Sequence, residues 1–387
     1  MTYVSTRGHA PAIGLGAALV AGLAPDSGLY VPASLPRFDV ADFDGCDGLP
    51  AIAARLLRPF FAGDALAGDL GAICSESLDL PAPLRAIAPH TWLLELFHGP
   101  TAAFKDFAAR FLAACLARLR RHDDPLRTVL VATSGDTGAA VAAAFHRRPG
   151  FRVVILYPDG RVSPRQAHQL GAFGDNVLAL RVAGSFDDCQ ALAKRALADD
   201  ALKARVPLTS ANSISLGRLL PQMAYYALAA LQRHRAGSAP PTFVVPTGNL
   251  GNAFAAILAR ACGLPIGDVV LATNANRTLP DFFVGADYTP RASIATLANA
   301  MDVGAPSNFE RLQWLYPDPA RLRREFSVDA VGDAAIEETI RTRFERHGEL
   351  LCPHTATAVR MLEGLRQEGA HGSWAAVATA HAAKFDA

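Results

Sequence analysis

Short apolar runs alternate with helix-like segments through most of the chain. Each run has the length of a buried strand and is bounded by loops that contain Gly or Pro. The runs lie at 128–132, 152–157, 177–182, 242–246 and 268–273. Strands that are apolar throughout are typical of sheets covered on both faces. The pattern therefore predicts an α/β fold with mainly parallel sheets flanked by helices.

Three helices are predicted to follow strands along the chain, at 139–146, 187–197 and 253–261. Residues 1 to about 98 are predicted to be mixed and mainly helical. Within them, the uncharged stretch 10–25 loosely resembles a secretory signal, but it is shorter than the roughly 20 residues of a membrane span. We expect it to form a helix packed on its domain, followed by a turn at 25–28.

The length and the charge composition argue against some classes of function. The 387 residues are enough for two domains, and 37 basic and 36 acidic residues leave a net charge of +1. Neither sign is gathered into a block, which argues against a nucleic-acid-binding or membrane-surface protein. Any phosphate ligand must then be held by a few placed donors.

Six scattered cysteines carry no C-x-x-C pair, which excludes a disulfide framework or a zinc site of ordinary spacing. We expect reduced thiols and a cytoplasmic protein. No group of His and carboxylate residues has metal-ligand spacing, so no metal site is expected. A monovalent cation bound by backbone carbonyls stays an alternative.

Two loops that follow predicted strands carry anion-binding features. Residues 246–252 read Pro-Thr-Gly-Asn-Leu-Gly-Asn and precede a helix, so that backbone N–H groups and the helix dipole converge there. This is either a phosphate site or a plain turn that needs glycine.

The loop 132–138 has the same setting and adds the hydroxyls of Thr133, Ser134 and Thr137. It is either a carboxylate site or a capping turn with Asp136 or Thr137 as the N-cap. We expect this loop and the loop 246–252 in one sheet, where they would bind a ligand with two anionic ends.

Lys105 is one of only four lysines and lies between Phe104 and Asp106 at the start of an apolar helix. Aromatic surroundings desolvate an amine and favour its neutral, nucleophilic form. The alternative is an ordinary lysine whose amine reaches water. A phosphate loop, a carboxylate loop and a reactive lysine together are the equipment of a pyridoxal-phosphate enzyme.

The run Glu95-Leu-Phe-His-Gly-Pro-Thr101, with Phe104-Lys105-Asp106, resembles the pyridoxal-lysine motif of threonine synthases. Further blocks follow in the family's order and extend the resemblance over almost the whole chain. They lie at 3–8, 22–32, 133–138, 210–215, 246–251, 272–276, 299–304, 306–308, 353–355 and 378–384. One such block would be weak, whereas the ordered set is very specific.

The resemblance implies the type II fold of pyridoxal-phosphate enzymes, which is like that of the tryptophan synthase β subunit. Residues 1–107 and 216–387 would form a large cofactor-binding domain, and 108–215 a small mobile domain.

The resemblance also implies roles for particular residues. Lys105 would bind pyridoxal 5'-phosphate covalently and then shuttle protons. Thr379 would face the pyridine nitrogen, and Asp136 would approach the ring. The cofactor phosphate would be held by backbone N–H groups of Gly248, Asn249, Leu250, Gly251 and Asn252.

Thr133, Ser134 and Thr137 would receive the substrate carboxylate. For the substrate phosphate the candidates are Ser210, Asn212, Ser213 and Arg161, and Arg161 is alternatively a solvated loop residue.

The implied reaction converts O-phospho-L-homoserine and water to L-threonine and phosphate, by γ-elimination and then β-addition. The leaving phosphate or Lys105 would activate the water, and the sequence leaves both open. Departures from the family pattern are Leu250 in place of Phe, Asn252 in place of Asp and Ala378 in place of Gly. None of these removes a catalytic side chain.

Two other functions stay open. A serine or threonine ammonia-lyase shares the lysine and both loops but needs no second phosphate site. A non-catalytic sensor of phosphorylated amino acids would not need Lys105 and Thr379. His98 is interpreted as a buried histidine bonded to backbone rather than a cofactor contact. We expect a monomer or weak homodimer, with no visible extension for an effector such as S-adenosylmethionine.

Overall fold

A computed structural model describes residues 1–385, which contain twelve strands and sixteen α-helices. The strands are β1 (Tyr3–Ser5), β2 (Tyr30–Pro32), β3 (Leu84–Ala88), β4 (Thr91–Glu95), β5 (Arg127–Ala132), β6 (Phe151–Pro158), β7 (Val177–Val182), β8 (Leu208–Ser210), β9 (Thr242–Pro246), β10 (Val269–Thr273), β11 (Val328–Ala330) and β12 (Trp374–Ala378).

The helices are α1 (Leu15–Ala21), α2 (Gly48–Leu57), α3 (Leu70–Ser77), α4 (Lys105–Leu119), α5 (Asp136–Phe145), α6 (Pro164–Gly171), α7 (Phe186–Ala198), α8 (Asp200–Arg205), α9 (Leu216–Leu219), α10 (Met223–Arg235), α11 (Gly251–Ala261), α12 (Thr278–Phe283), α13 (Phe309–Leu315), α14 (Pro319–Glu325), α15 (Asp333–His347) and α16 (Pro353–Gln367).

The chain forms two compact units. The first unit comprises Met1–Leu80 and Lys105–Tyr225, and the second comprises Pro81–Phe104 and the chain from Tyr226 onward. This division joins the first 80 residues to the segment around the smaller sheet, whereas the resemblance implies that residues 1–107 join the second half. The implied mobility of 108–215 stays a prediction.

The first unit is built on a parallel four-stranded sheet in the order β7-β6-β5-β8. The inner strand β5 is buried along most of its length, and the helices α5 and α7 pack against it. A separate antiparallel pair joins β1 to β2. The predicted strands 128–132, 152–157 and 177–182 are confirmed within one or two residues.

The second unit is built on a six-stranded sheet in the order β11-β10-β9-β12-β4-β3. Its pairs are parallel except β3 with β4. Helix α16 packs on this sheet, with Val359 and Leu362 in the same buried cluster as Val244 and Ala376. The predicted α/β fold with mainly parallel sheets flanked by helices is confirmed.

The expectation that the two anion-binding loops belong to one sheet is wrong. The loop 132–138 follows β5, which pairs with β6 and β8. The loop 246–252 follows β9, which pairs with β10 and β12 in the other sheet. Apolar runs in sequence reveal strands but not their partners, so the assignment to one sheet had no support in the pattern.

Several strands were missed. The region up to residue 98 is mixed and mainly helical, as predicted, but its strands β1, β2, β3 and β4 were not predicted, and β3 and β4 form one edge of the six-stranded sheet. The strands β8 and β11 have three residues each, too few to show a period, and β12 is an alanine-rich WAAVA run. Short or alanine-rich segments are specified by their neighbours more than by their own pattern.

The predicted packed helix within 10–25 is confirmed as α1, which buries Leu15 and Leu19. Between residues 1 and 385, no helix is both long and apolar enough to cross a membrane. All six cysteines are free thiols; five are buried, and Cys46 is partly exposed.

Candidate active site

Lys105 is the first residue of α4, as the sequence predicts. Its side chain is 14% exposed, and its Nζ lies 3.7 Å from Oδ2 of Asp136. A carboxylate at this distance favours an ammonium beside it. The lysine therefore lies in a shielded place with a charged neighbour, and not among aromatic groups alone.

Gln166 holds Asp136 in position. Its Nε2 donates to Oδ1 of Asp136 at 3.0 Å, and Gln166 is completely buried. A Cβ on Gly135 would lie 2.5 Å from the Gln166 side chain, so only glycine fits there. Sequence reasoning missed Gln166. The capping box that it forms with Ser163 at the start of α6 was a readable signal.

The loop 132–138 is organised by Thr133. Its Oγ1 accepts hydrogen bonds from the N–H groups of Gly135 and Gly138, at 3.0 and 2.9 Å. Helix α5 begins at Asp136 with Gly135 as the N-cap residue, so the interpretation of Asp136 or Thr137 as the cap is wrong. Thr133 is buried, whereas Ser134 and Thr137 are partly exposed.

The segment after β8 contains three of the candidates for the substrate phosphate. Asn212 is buried and pairs with both backbone groups of Ala132: its Oδ1 accepts from the N–H at 3.0 Å, and its Nδ2 donates to the carbonyl at 2.6 Å. Oγ of Ser210 accepts from the Asn212 N–H at 3.2 Å. These two side chains are used to hold the segment, and Ser213 is the partly exposed one.

Arg161 is exposed in the turn that follows β6 and interacts electrostatically with Asp188. The side-chain hydrogen bonds of Ser210 and Asn212 go to each other and to Ala132, and not to Arg161.

Arg218 is a buried cation that sequence reasoning missed. It is 2% exposed and donates from Nη1 to the Ala211 carbonyl. Burial lowers the pKa of its guanidinium to about 10, so it stays charged at neutral pH. Within residues 1–385, neither its Nε nor Oγ of Ser215 has a hydrogen-bond partner. This places positive charge beside the segment 210–215.

In the second unit, the loop 246–252 ends in the N-terminus of α11, which begins at Gly251 rather than at the predicted residue 253. Leu250 has the left-handed φ of 62°, and no side chain caps the helix. An uncapped helix N-terminus directs backbone N–H groups and the positive end of the dipole toward an anion.

The position of this loop is set by close backbone packing. A Cβ on Gly248 would lie 2.7 Å from Cα of Met301, so no other residue fits. Oδ1 of the Asn249 side chain accepts a hydrogen bond from the Ser307 N–H. The backbone carbonyl of Asn249 accepts one from Nδ2 of Asn308 at 2.9 Å. The side chain of Asn249 thus fixes the loop.

Arg311 stands behind this loop and was also missed. It is completely buried, and its Nη1 donates to Oδ1 of Asn308 at 2.7 Å. Burial lowers the pKa of Arg311 to about 9, which leaves it charged at neutral pH. Through Asn308, the loop is therefore backed by a fixed positive charge.

Thr379 follows β12 and is 6% exposed. Its carbonyl accepts from the Phe104 N–H at 2.8 Å, and Ala103 bridges to Ala380. The buried amine of Lys384 donates to the Thr101 carbonyl at 2.8 Å. The residues that immediately precede Lys105 are thus fastened to the end of the chain.

The interpretation of His98 as a buried histidine bonded to backbone is wrong. Its side chain is 34% exposed, and its Nε2 lies 2.9 Å from Oε2 of Glu95. His381 is also exposed, and its Nδ1 accepts from the Ala383 N–H. Neither ring is held by the core.

The chemistry that these groups support is specific. The first unit offers a shielded lysine amine beside a carboxylate, and the second offers an uncapped helix N-terminus backed by a buried arginine. The first is suited to imine formation and proton transfer, and the second to binding a phosphate. Among residues 1–385, no group of three or more His, Cys, Asp or Glu residues could hold a metal ion.

Comparisons with known proteins agree with this chemistry. Residues 78–382, most of the chain, match the family described as pyridoxal-phosphate dependent enzyme. The fold and the lysine site therefore define an enzyme of this cofactor class. Residues 2–78 match the family described as threonine synthase N terminus.

Threonine synthase of Serratia marcescens is 38% identical over 387 residues, which are 100% of this chain and 89% of that protein. The crystal structure of threonine synthase from Escherichia coli has a TM-score of 0.92 at 37% identity and covers 100% of this chain and 89% of that chain. A PLP-bound threonine synthase from Brucella melitensis has a TM-score of 0.87 at 36% identity, with the same coverage. The chain belongs to the threonine synthase family.

The residues present fit the cofactor of this class. Its phosphate requires a concentration of N–H donors and positive charge, which the uncapped start of α11 and the buried Arg311 supply. Its aldehyde requires a lysine amine that is shielded yet reachable, as the 14% exposed side chain of Lys105 is.

Asp302 follows Met301, the residue that packs on Gly248. The carboxylate of Asp302 connects the segments that carry Asn274 and Thr296. Its Oδ1 accepts from Oγ1 of Thr296 at 2.7 Å and from Nδ2 of Asn274 at 2.8 Å. Burial raises the pKa of Asp302 to about 7, although these hydrogen bonds act to lower it. The folded chain therefore keeps a proton here that the unfolded chain releases near pH 4.

A raised carboxyl pKa stabilises the fold at low pH, and the gain is lost as the pH rises through about 7. We predict that the free energy of unfolding falls by about 1 kcal/mol more in the wild type than in Asp302→Asn between pH 6 and pH 8. Urea unfolding at both pH values measures the difference in slope.

The change of the unfolding free energy with pH is compared, and not its value at one pH. The reason is that Asn at residue 302 also loses an acceptor for the Thr296 N–H, which destabilises the variant at every pH. Asp268→Asn is the control, since that carboxylate is 74% exposed. An equal slope in the wild type and in Asp302→Asn would contradict the assignment.

Proposed function

We propose that the chain catalyses the conversion of O-phospho-L-homoserine and water to L-threonine and inorganic phosphate, as a carbon–oxygen lyase acting on phosphate. The observation that carries this proposal is the full-length likeness to threonine synthases in a chain whose Lys105 amine lies beside the buried Asp136. The substrate is a small amino acid with two anionic groups, for which the first unit offers the loop at the start of α5 and the segment 210–215 beside the buried Arg218.

When bound, pyridoxal phosphate delocalises the negative charge that develops as protons leave the carbon atoms of the substrate. In the second unit, the N–H groups of Gly248, Asn249, Leu250, Gly251 and Asn252 hold its phosphate. Arg311 adds positive charge behind them through Asn308. Asn252 is kept in place because its Oδ1 accepts from the Tyr226 hydroxyl at 2.9 Å.

Lys105 would hold the cofactor. With its amine free, Lys105 takes the proton from Cα, gives it up, and then takes one from Cβ. Asp136, at 3.7 Å, stabilises the ammonium that each transfer leaves on Lys105. Gln166 keeps Asp136 oriented, since it donates to the other carboxylate oxygen. Phosphate departs from Cγ with the electron pair of the broken C–O bond, and the oxygen of water adds to Cβ. The two protons that Lys105 removed are returned, one to Cγ and one to Cα. The departing phosphate or Lys105 accepts the proton of that water.

Thr379 would supply its hydroxyl to the pyridine nitrogen of the cofactor. A neutral hydroxyl leaves that nitrogen largely unprotonated, in contrast to the carboxylate used by other pyridoxal-phosphate enzymes. The hydrogen bond from the Phe104 N–H to the Thr379 carbonyl supports this position, because it fixes the backbone that carries the hydroxyl.

The substrate carboxylate is bound at the start of α5 by Thr133, Ser134 and Thr137, with the hydroxyls of the two partly exposed residues making the direct contacts. Thr133 shapes the loop through its two accepted N–H bonds.

The substrate phosphate is bound by Ser213, while Ser210 and Asn212 hold the segment in shape. Arg161 contributes from the turn after β6, and the buried Arg218 adds charge to the segment.

We also propose that the protein works in the cytoplasm as a monomer or weak homodimer. The free thiols, five of them buried, are in keeping with a reducing compartment.

The reaction is tested by giving the purified holoenzyme O-phospho-L-homoserine and measuring phosphate and threonine in the same tube. We predict equal amounts of both, and a loss of at least roughly 1,000-fold in turnover for Lys105→Ala, with loss of the visible absorbance of the bound cofactor. Lys203→Ala, which removes a lysine whose side chain is 39% exposed, is the matched control.

A protein that holds its cofactor but releases no phosphate would contradict the proposal. Serine and threonine would then be tested as substrates, with ammonia as the product of an ammonia-lyase. If Lys105→Ala retained turnover, Lys105 would not be the residue that binds the cofactor and transfers the protons.

Thr379→Val replaces the hydroxyl by a methyl group of the same size. We predict that the cofactor stays bound, as seen in its absorbance, and that kcat falls by roughly 10- to 100-fold because one buried hydrogen bond is lost. An unchanged kcat would show that Thr379 does not serve the ring nitrogen.

Arg161→Gln is predicted to raise KM for O-phospho-L-homoserine by about tenfold with little change in kcat, since a charge-assisted contact to phosphate would be lost. Arg195→Gln, an exposed arginine on α7, serves as the control. If KM is unchanged in Arg161→Gln, Arg161 is a solvated loop residue and the buried Arg218 is left as the cation at this segment.

A further inference from the structure

The second unit contains a cavity of about 430 Å³ that none of the residues assigned so far lines. It lies between the antiparallel pair β3–β4, the last turns of α15 and the C-terminal half of α16. Its volume is in the range of sites that hold small organic molecules, which is roughly 300–1,000 Å³.

One wall of the cavity is apolar. Val359 and Leu362 of α16 are both almost fully buried members of the core cluster, and Ile87 of β3 packs against the same cluster. These three side chains form a continuous aliphatic surface. A ligand with an aliphatic part would bury that part against it, whereas a purely polar ligand would leave the wall unused.

The opposite wall is mainly cationic. Arg343 is buried and is neutralised, since its Nε donates to Glu349 at 2.9 Å and its Nη1 lies 3.4 Å from Oε1 of Glu363, which also lines the cavity. Arg366 donates to the carbonyls of His90 and Gly372 and so braces the entrance.

Arg346 and His347 are exposed in the last turn of α15 and also line the cavity. A planar guanidinium at the mouth matches a carboxylate, to which it can donate two parallel hydrogen bonds. The site thus combines an aliphatic wall inside with an anion-binding group at the entrance.

The cavity is at the edge of the sheet where β4 begins, whereas Thr379 and the loop 246–252 lie where β12 and β9 end. Helix α16 spans the two edges: Nε2 of His354 accepts from the Ala300 N–H at one end, and Arg366 meets Thr91 at the other. A helix of 15 residues is about 22 Å long, so the cavity is separate from the second unit's part of the candidate active site.

We propose that this cavity is a second ligand site, which binds a small carboxylate with a branched aliphatic tail. The tail lies against Ile87, Val359 and Leu362, and the carboxylate is held at the entrance by Arg346 with His347. The proposal rests on the cavity alone and stands whether or not the chain has the reaction proposed above.

The test is isothermal titration calorimetry of the full-length holoenzyme with 4-methylpentanoate. We expect one saturable site with a dissociation constant on the order of 1 mM, typical of a ligand with so few atoms. Arg346→Gln should weaken binding by roughly tenfold, since one charge-assisted interaction is lost.

Arg341→Gln is the matched control, because Arg341 is a 63% exposed arginine of the same helix that does not line the cavity. Unchanged binding in this variant supports the proposal, as does weaker binding of the uncharged 4-methylpentanamide. The proposal is overturned if no saturable binding occurs up to about 20 mM. It is also overturned if Arg341→Gln weakens binding as much as Arg346→Gln, or if the amide binds as well as the carboxylate.

Discussion

The close approach of two backbone segments, at Gly248 and Met301, is the constraint on which the second unit's part of the site depends. A Cβ at residue 248 would lie 2.7 Å from Cα of Met301, so the two segments can meet only at glycine. This contact fixes where the loop leaves β9 and where α11 begins, and thus where its uncapped N–H groups point. Arg311 reaches the same loop through Asn308, so geometry and charge are set together.

The five strands that could be predicted are those of five or more residues with an almost purely apolar pattern, such as Val269–Thr273, which is buried throughout. Burial on both faces leaves almost no polar position in such a run. The strand Val177–Val182 has a similar pattern although it is partly exposed at the edge of its sheet. The strands β8 and β11 carry too little pattern in three residues, and β12 owes its conformation to pairing with β9 and β4. Which sheet a strand joins depends on partners far away in the chain, and this is why the two loops were placed together wrongly.

The residues of the candidate site also divide into those that the sequence predicts and those that only the structure reveals. Lys105 and the two glycine loops are visible in sequence because their chemistry depends on residue types and short spacings. Gln166, Arg218 and Arg311 were missed because their roles arise only when buried contacts form, as when Gln166 meets Asp136. The capping box at Ser163 was a local signal for Gln166, whereas a buried arginine such as Arg311 has no local signal.

The strand order of the larger sheet has a consequence for how the protein is made. The strand β12, the last one within residues 1–385, lies between β9 and β4 and pairs with both. A ribosome adds residues from the amino end, so the sheet stays split into two parts until the residues of β12 have been made. The first unit has all its strands by Ser210 and can fold while synthesis continues. Until β12 is made, the nascent chain carries exposed strand edges of the larger sheet, and such edges are sites that chaperones protect from aggregation.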